Sequence, residues 1–87
     1  MLVLHQNYPN PFNPDTQIEF DVPILSTLDM HVFDITGRQV KTLFSDRSFM
    51  PGSYKTRFNA ANLPAGVYFV RLQGAGQSSV IRMSLIK

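Results

Sequence analysis

The chain has 87 residues, 44% of them hydrophobic and 16% charged, with a net charge of +2; that is enough for one domain over residues 1–87 and too apolar for a disordered chain. It has no cysteine, which excludes disulfides, thiolate metal sites and Cys nucleophiles. Its basic residues Arg38, Lys41, Arg47, Lys55, Arg57, Arg71, Arg82 and Lys87 are scattered, which speaks against a nucleic-acid footprint, and no apolar run approaches the ~20 residues of a membrane helix.

Taken in chain order, the pattern is alternation with period two, broken by Gly, Pro, Asn and Asp. Leu2 to Gln6 reads as a short strand. The segment NYPNPFNP, Asn7 to Pro14, cannot be regular, because its three prolines fix φ and lack amide donors. Two aromatics in that rigid loop, Tyr8 and Phe12, suit a lid over the open end of a sandwich. Thr16 to Val22 is a strand with Ile18, Phe20 and Val22 on one face and Gln17, Glu19 and Asp21 on the other.

Ser26 to Ile35 is the next strand, with Leu28, Met30 and Val32 opposed to Asp29, His31 and Phe33. Thr36-Gly37 makes a tight turn and Arg38 to Phe44 returns, the best hairpin in the chain. Asp34 precedes that turn and can cap its amides. Pro51-Gly52 is a second turn. Ser53 to Phe58 alternates again, and Asn59 to Pro64 is a loop with room for one helical turn at 59–62. Gly66 to Gln73 is a strand, Gly74-Ala75-Gly76 turns the chain, and Ser78 to Ile86 is the last strand. About seven short strands with regular turns indicate an antiparallel β-sandwich. An open barrel is the competing all-β arrangement.

The residues that carry chemistry elsewhere lack partners here. His5 and His31 have no ligand spacing, and the serines lack a nucleophile elbow. Glu19 and Asp21 share a strand face, where solvated carboxylates outweigh a calcium or acid–base pair. Gly74-Ala75-Gly76 has no helix after it to cradle a phosphate. Tyr8, Phe12 and Tyr54 offer aromatic surface for a sugar, against the simpler reading as packing. Gly66 allows a positive φ at strand entry, and Tyr68 stands where a tyrosine corner bonds back across the preceding bend. No catalytic, metal or cofactor site is expected. The tail Arg82 to Lys87 reads either as a closing strand with flanking charges or as an edge strand displayed to a partner. Pairing of that strand with its copy, a weak homodimer through edge strands, is a further expectation.

Four segments together resemble one family. Leu4 to Pro14, with Asn7, Pro9, Asn10, Pro11, Phe12, Asn13 and Pro14, is similar to the opening signature of type IX secretion system type A C-terminal sorting domains. Val32 to Val40, with Asp34, Gly37 and Arg38, resembles that family's central motif. Leu63 to Leu72 resembles its third motif and Arg82 to Lys87 its terminal one. Arg82 stands where a Lys is common, and Ser84 where an apolar residue is common.

The resemblance implies an immunoglobulin-like sandwich, related to the Ig-like domain of the flagellar hook-capping protein. It implies an address label at the C-terminus of a cargo protein that travels through the periplasm to the cell surface or medium. The implied partners are the outer-membrane type IX translocon, a shuttle and a sortase-like peptidase. By the same resemblance, Gly66, Val67, Tyr68, Arg82, Met83, Leu85 and Lys87 are the residues read. The N-terminus shows no basic region followed by an apolar stretch, so an export signal is expected outside these residues. The alternative function is a structural Ig-like module that stabilises or spaces an attached secreted enzyme.

Overall fold

Alternation decides the architecture, because each strand with one apolar face must bury that face against another. A computed structural model describes all 87 residues and contains seven strands and no helix. They are β1 (Val3–Leu4), β2 (Asp15–Val22), β3 (Ser26–Asp34), β4 (Gln39–Phe49), β5 (Gly52–Asn59), β6 (Gly66–Gly74) and β7 (Gln77–Leu85). Two antiparallel sheets result, ordered β1-β2-β5 and β4-β3-β6-β7. No ladder closes one sheet onto the other, so the arrangement is an Ig-like sandwich and not a barrel.

The inward faces are those the alternation predicts. Ile18, Phe20 and Val22 of β2 meet Leu28, Met30 and Val32 of β3, with Val70 and Leu72 of β6 and Met83 and Leu85 of β7 alongside. Each such side chain contributes roughly 1.5–3 kcal/mol when fully buried. Phe20, Phe44, Phe49 and Tyr54 cluster at one end of the sandwich, with ring centroids 4.8–5.6 Å apart. Phe12 and Phe58 pack 6.0 Å apart toward the other.

Several local expectations are corrected. β4 runs on to Phe49 instead of stopping at Phe44. Its polar stretch Ser45-Asp46-Arg47-Ser48 looks like a loop, yet Leu28↔Arg47 and Thr27↔Ser48 pair. Register shifts absorb the extra residues, and Asp46 takes a φ of 53°, which is how a bulged edge strand stays in its ladder. In place of a helical turn at 59–62, Asn59 ends β5 and residues 60–63 form a turn closed by the Leu63 amide on the Ala60 carbonyl. Only Phe12 of the two loop aromatics plugs the core; Tyr8 is 80% exposed, because its backbone pairs with Gln17 on the sheet edge.

Candidate recognition surface

Asp34, Tyr68 and Met83 are in register across β3, β6 and β7. This alignment brings the β3–β4 turn, the start of β6 and the end of β7 to one end of the sandwich. The proline loop lies there too, since Phe12 bridges to Leu85 and the Ala60 amide donates to the Pro14 carbonyl. The four segments singled out in the sequence therefore meet in space.

The turn is built around one carboxylate. Asp34 Oδ1 accepts from the Thr36 amide at 2.9 Å, the Thr36 hydroxyl at 2.6 Å and the Arg38 amide at 3.1 Å. Arg38 Nε sits 3.3 Å from Oδ2. The Thr36 hydroxyl bond is the main cause that holds the Asp34 carboxyl below its ordinary value; burial opposes it, and the two amides and the Arg38 charge add to it. Asp34 is thus the turn cap its sequence position suggested, with Gly37 completing the turn at a φ of 87°.

Beside it, buried Tyr68 donates its hydroxyl to the Pro64 carbonyl and ties down the loop before β6, the tyrosine-corner geometry. Burial, and then the Asp34 charge, pushes this phenol above its usual value. Gly66 has a φ of 154°, which side chains rarely adopt. A groove of about 230 Å³ separates the Asp34–Arg38 turn from the Leu63–Tyr68 segment.

The proline loop and Gln6 cover the C-terminal part of the free edge of β7. The Ser84 amide donates to Asn10 Oδ1 at 3.0 Å, and the Ser84 carbonyl accepts from the Phe12 amide at 2.9 Å. The Ile86 amide donates to the Phe12 carbonyl at 3.0 Å, and Gln6 Nε2 donates to the Arg82 carbonyl at 2.6 Å. The loop is itself braced by buried Asn7, whose Nδ2 reaches the Pro9 carbonyl at 3.1 Å and Thr16 Oγ1 at 2.9 Å. Pro9, Asn10, Pro11 and Asn13 remain exposed and Pro14 is half-buried.

These bonds fix how the tail sits in the sheet. It is the closing strand of its sheet, and from Arg82 to Ile86 its outer backbone is already occupied. The expected pairing of this strand with its copy in a second chain is left the stretch of residues 77–81, whose outer backbone the loop does not bond. Of the residues implied to be read, Tyr68, Met83 and Leu85 lie in the core. Gly66, Arg82 and Lys87 are exposed and Val67 is half-buried. Lys87 Nζ reaches back to the Ala61 carbonyl at 3.3 Å.

The polar pairs considered for other chemistry are separated. His5 bonds Asp21 at 2.7 Å and Glu19 faces Lys55 at 3.8 Å on the outer face of the three-stranded sheet, while His31 bonds Thr42 at 3.0 Å on the other. No three His, Asp or Glu side chains converge. Tyr8, Phe12 and Tyr54 form no common platform, because Phe12 is in the core and Tyr54 stacks on Phe20. The bonding roles of Gln6 and Ser84 are not legible in the sequence, since nothing local signals a bond to a residue more than 70 positions away.

A family model described as a secretion system C-terminal sorting domain matches residues 6–87. No curated protein and no solved structure matches the chain.

Proposed function

The chain belongs to the secretion system C-terminal sorting domain family, and we propose that its type IX sorting signal is read in the folded state, at the end of the sandwich where its four motifs meet. A domain of this family serves an N-terminally attached cargo that is recognised by the secretion machinery and exported to the cell surface or beyond. In the reading advanced here, the cargo passes through the periplasm. The outer-membrane translocon and its shuttle then engage Gly66, Val67, Arg82 and Lys87, and a sortase-like peptidase removes the domain.

The observation that carries this reading is the division within the tail. Met83 and Leu85 point into the core while Arg82 and Lys87 stay in water. Of these two pairs a folded domain can therefore offer only the second, together with exposed Ile86 and the half-buried and exposed residues at the start of β6. Tyr68, Met83 and Leu85 act by holding those groups in position.

The test fuses the 87 residues to the C-terminus of a periplasm-targeted reporter in a host with a type IX system. The reporter should reach the surface or the medium, and it should lose the 9.9 kDa of the domain only when the sortase-like peptidase is present. A reporter that stays in the periplasm would overturn the sorting role. An attached enzyme that melts lower without the domain, yet is exported equally well, would support a stabilising module instead.

A further inference from the structure

The outer face of the four-stranded sheet carries an apolar patch whose cations make no ion pair. Phe33 of β3 pairs with Phe69 of β6, and Phe69 pairs in turn with Arg82 of β7. One step along the same face, Arg71 pairs with Val80. Val80 is 57% exposed, and together with Phe33, Phe69 and Arg71 it lines a shallow depression of about 330 Å³.

The Arg71 guanidinium lies over the Phe33 ring, 4.7 Å from its centroid. Its Nε is buried and has no acceptor in the protein. A guanidinium held over a ring still has N–H donors to place, and a buried donor without an acceptor is costly to keep. The nearby carboxylates are engaged elsewhere. Asp34 closes its own turn and pairs with Arg38, and Asp29 accepts from Ser45 and the Asp46 amide. Arg82 makes no ion pair.

We infer that this face docks an acidic protein segment, one that sets carboxylates on either side of an aliphatic side chain. The carboxylates would take Arg71 and Arg82 in charge-assisted bonds, and the aliphatic group would cover Phe69 and Val80. The two cations stand on different strands with Phe69 at the corner between them, which favours two separated carboxylates over a single phosphate. The inference rests on charge and shape and not on the sorting role, with which it shares Arg82 alone.

The test is an NMR titration of the isotope-labelled chain with the capped peptide acetyl-Glu-Leu-Glu-amide and its acetyl-Gln-Leu-Gln-amide counterpart. The Glu peptide should bind about tenfold more tightly at low salt, shifting Arg71 Nε–H and the amides of Phe33, Phe69 and Val80. Arg71→Gln should remove that preference. Val80→Glu, which places a like charge on an exposed side chain, should do the same and keeps the test valid if the first variant fails to fold. Equal binding of the two peptides, or shifts confined to other faces, would overturn the inference. So would a response to phosphatidylglycerol vesicles with none to the Glu peptide.

Discussion

The Ser84 amide donates to Asn10 Oδ1 at 3.0 Å across 74 positions of the chain. With Phe12 bonded on both sides of it, Asn10 makes the proline loop an outer partner for the end of β7. The loop and the tail are therefore one structural unit, although they lie at opposite ends of the sequence.

Asn10→Ala should expose the Ser84 amide to water. The site is exposed, so the stability cost should be small, roughly 0.5–1.5 kcal/mol. Hydrogen exchange at the Ser84 amide should accelerate more than at Ile86, whose acceptor is the Phe12 carbonyl. Asn10→Asp retains an acceptor oxygen and should restore protection. Unchanged exchange at Ser84 in the Ala variant would show that this bond does not hold the edge.

Phe12 and Tyr8 share a loop but not a role. Phe12 is 1% exposed and packs on Phe58, so Phe12→Ala should cost about 3–5 kcal/mol. For a domain of this size that lowers Tm by well over 10 °C, at roughly 4–8 °C per kcal/mol. Tyr8→Ala should change stability by less than about 0.5 kcal/mol, as surface substitutions do. Thermal unfolding of the two variants checks the contrast; equal losses would contradict it.

What was legible in the sequence were features with short-range causes. Alternation gave the inward faces of β2, β3 and β5, and Asp34 two residues before Thr36 identified its own turn. Tyr68 could be assigned to a corner because Pro64 lies only four residues back. The features that escaped depend on the other sheet or the far terminus. Ser45 to Ser48 joined a strand because Thr27 and Leu28 offered a ladder. Tyr8 and Phe12, alike in sequence, were separated by which one reached the core. The charges of the tail were visible, but its covered edge depends on Gln6 and Asn10, which no local pattern connects to Arg82 and Ser84.

Two glycines with similar dihedrals should respond differently to alanine. At Gly74, φ is 150° and a Cβ would lie 2.3 Å from the Thr27 carbonyl oxygen. At Gly66, φ is 154° and a Cβ would meet nothing within 4 Å. Gly66→Ala carries backbone strain alone, on the order of 1–3 kcal/mol. Gly74→Ala adds a clash with backbone that cannot move without disturbing the β3–β6 ladder, so it should cost more. Urea unfolding of both variants gives the order, and a Gly66 variant less stable than the Gly74 one would refute it.

Stability should fall at both ends of the pH scale for identifiable reasons. His5 bonding lowers the Asp21 carboxyl, the Asp46 amide lowers Asp29 and the Thr36 hydroxyl lowers Asp34, each from the ordinary 3.8. The unfolded chain then binds more protons, so stability is lost as pH drops from about 4 through the lower folded values. Tyr68 has the opposite sign. Its folded phenol is raised above the ordinary 10.0, so stability is lost as pH rises from there through the folded value. Asp34→Asn should flatten the acid arm and Tyr68→Phe the alkaline arm in unfolding curves taken across pH. Arms unaltered in the two variants would remove these groups as the cause.

The division of the tail leads to a test of how the signal is read. Arg82→Glu and Lys87→Glu change exposed side chains and should leave Tm nearly unchanged. Met83→Leu conserves volume in the core and should cost less than about 1.5 kcal/mol, whereas Met83→Ala should cost about 2–5 kcal/mol. If the folded surface is read, the two charge reversals abolish export of a fused reporter from a stable domain. Met83→Leu is then exported normally, and Met83→Ala loses export only as far as it unfolds. If the machinery instead takes the tail as an extended peptide, the order inverts. Met83→Leu then impairs export at nearly unchanged Tm, because an unfolded strand presents the very side chain that folding hides. Full export of the Arg82 and Lys87 variants, measured beside their melting curves, would place recognition elsewhere and leave those cations as flanking charges of an ordinary closing strand.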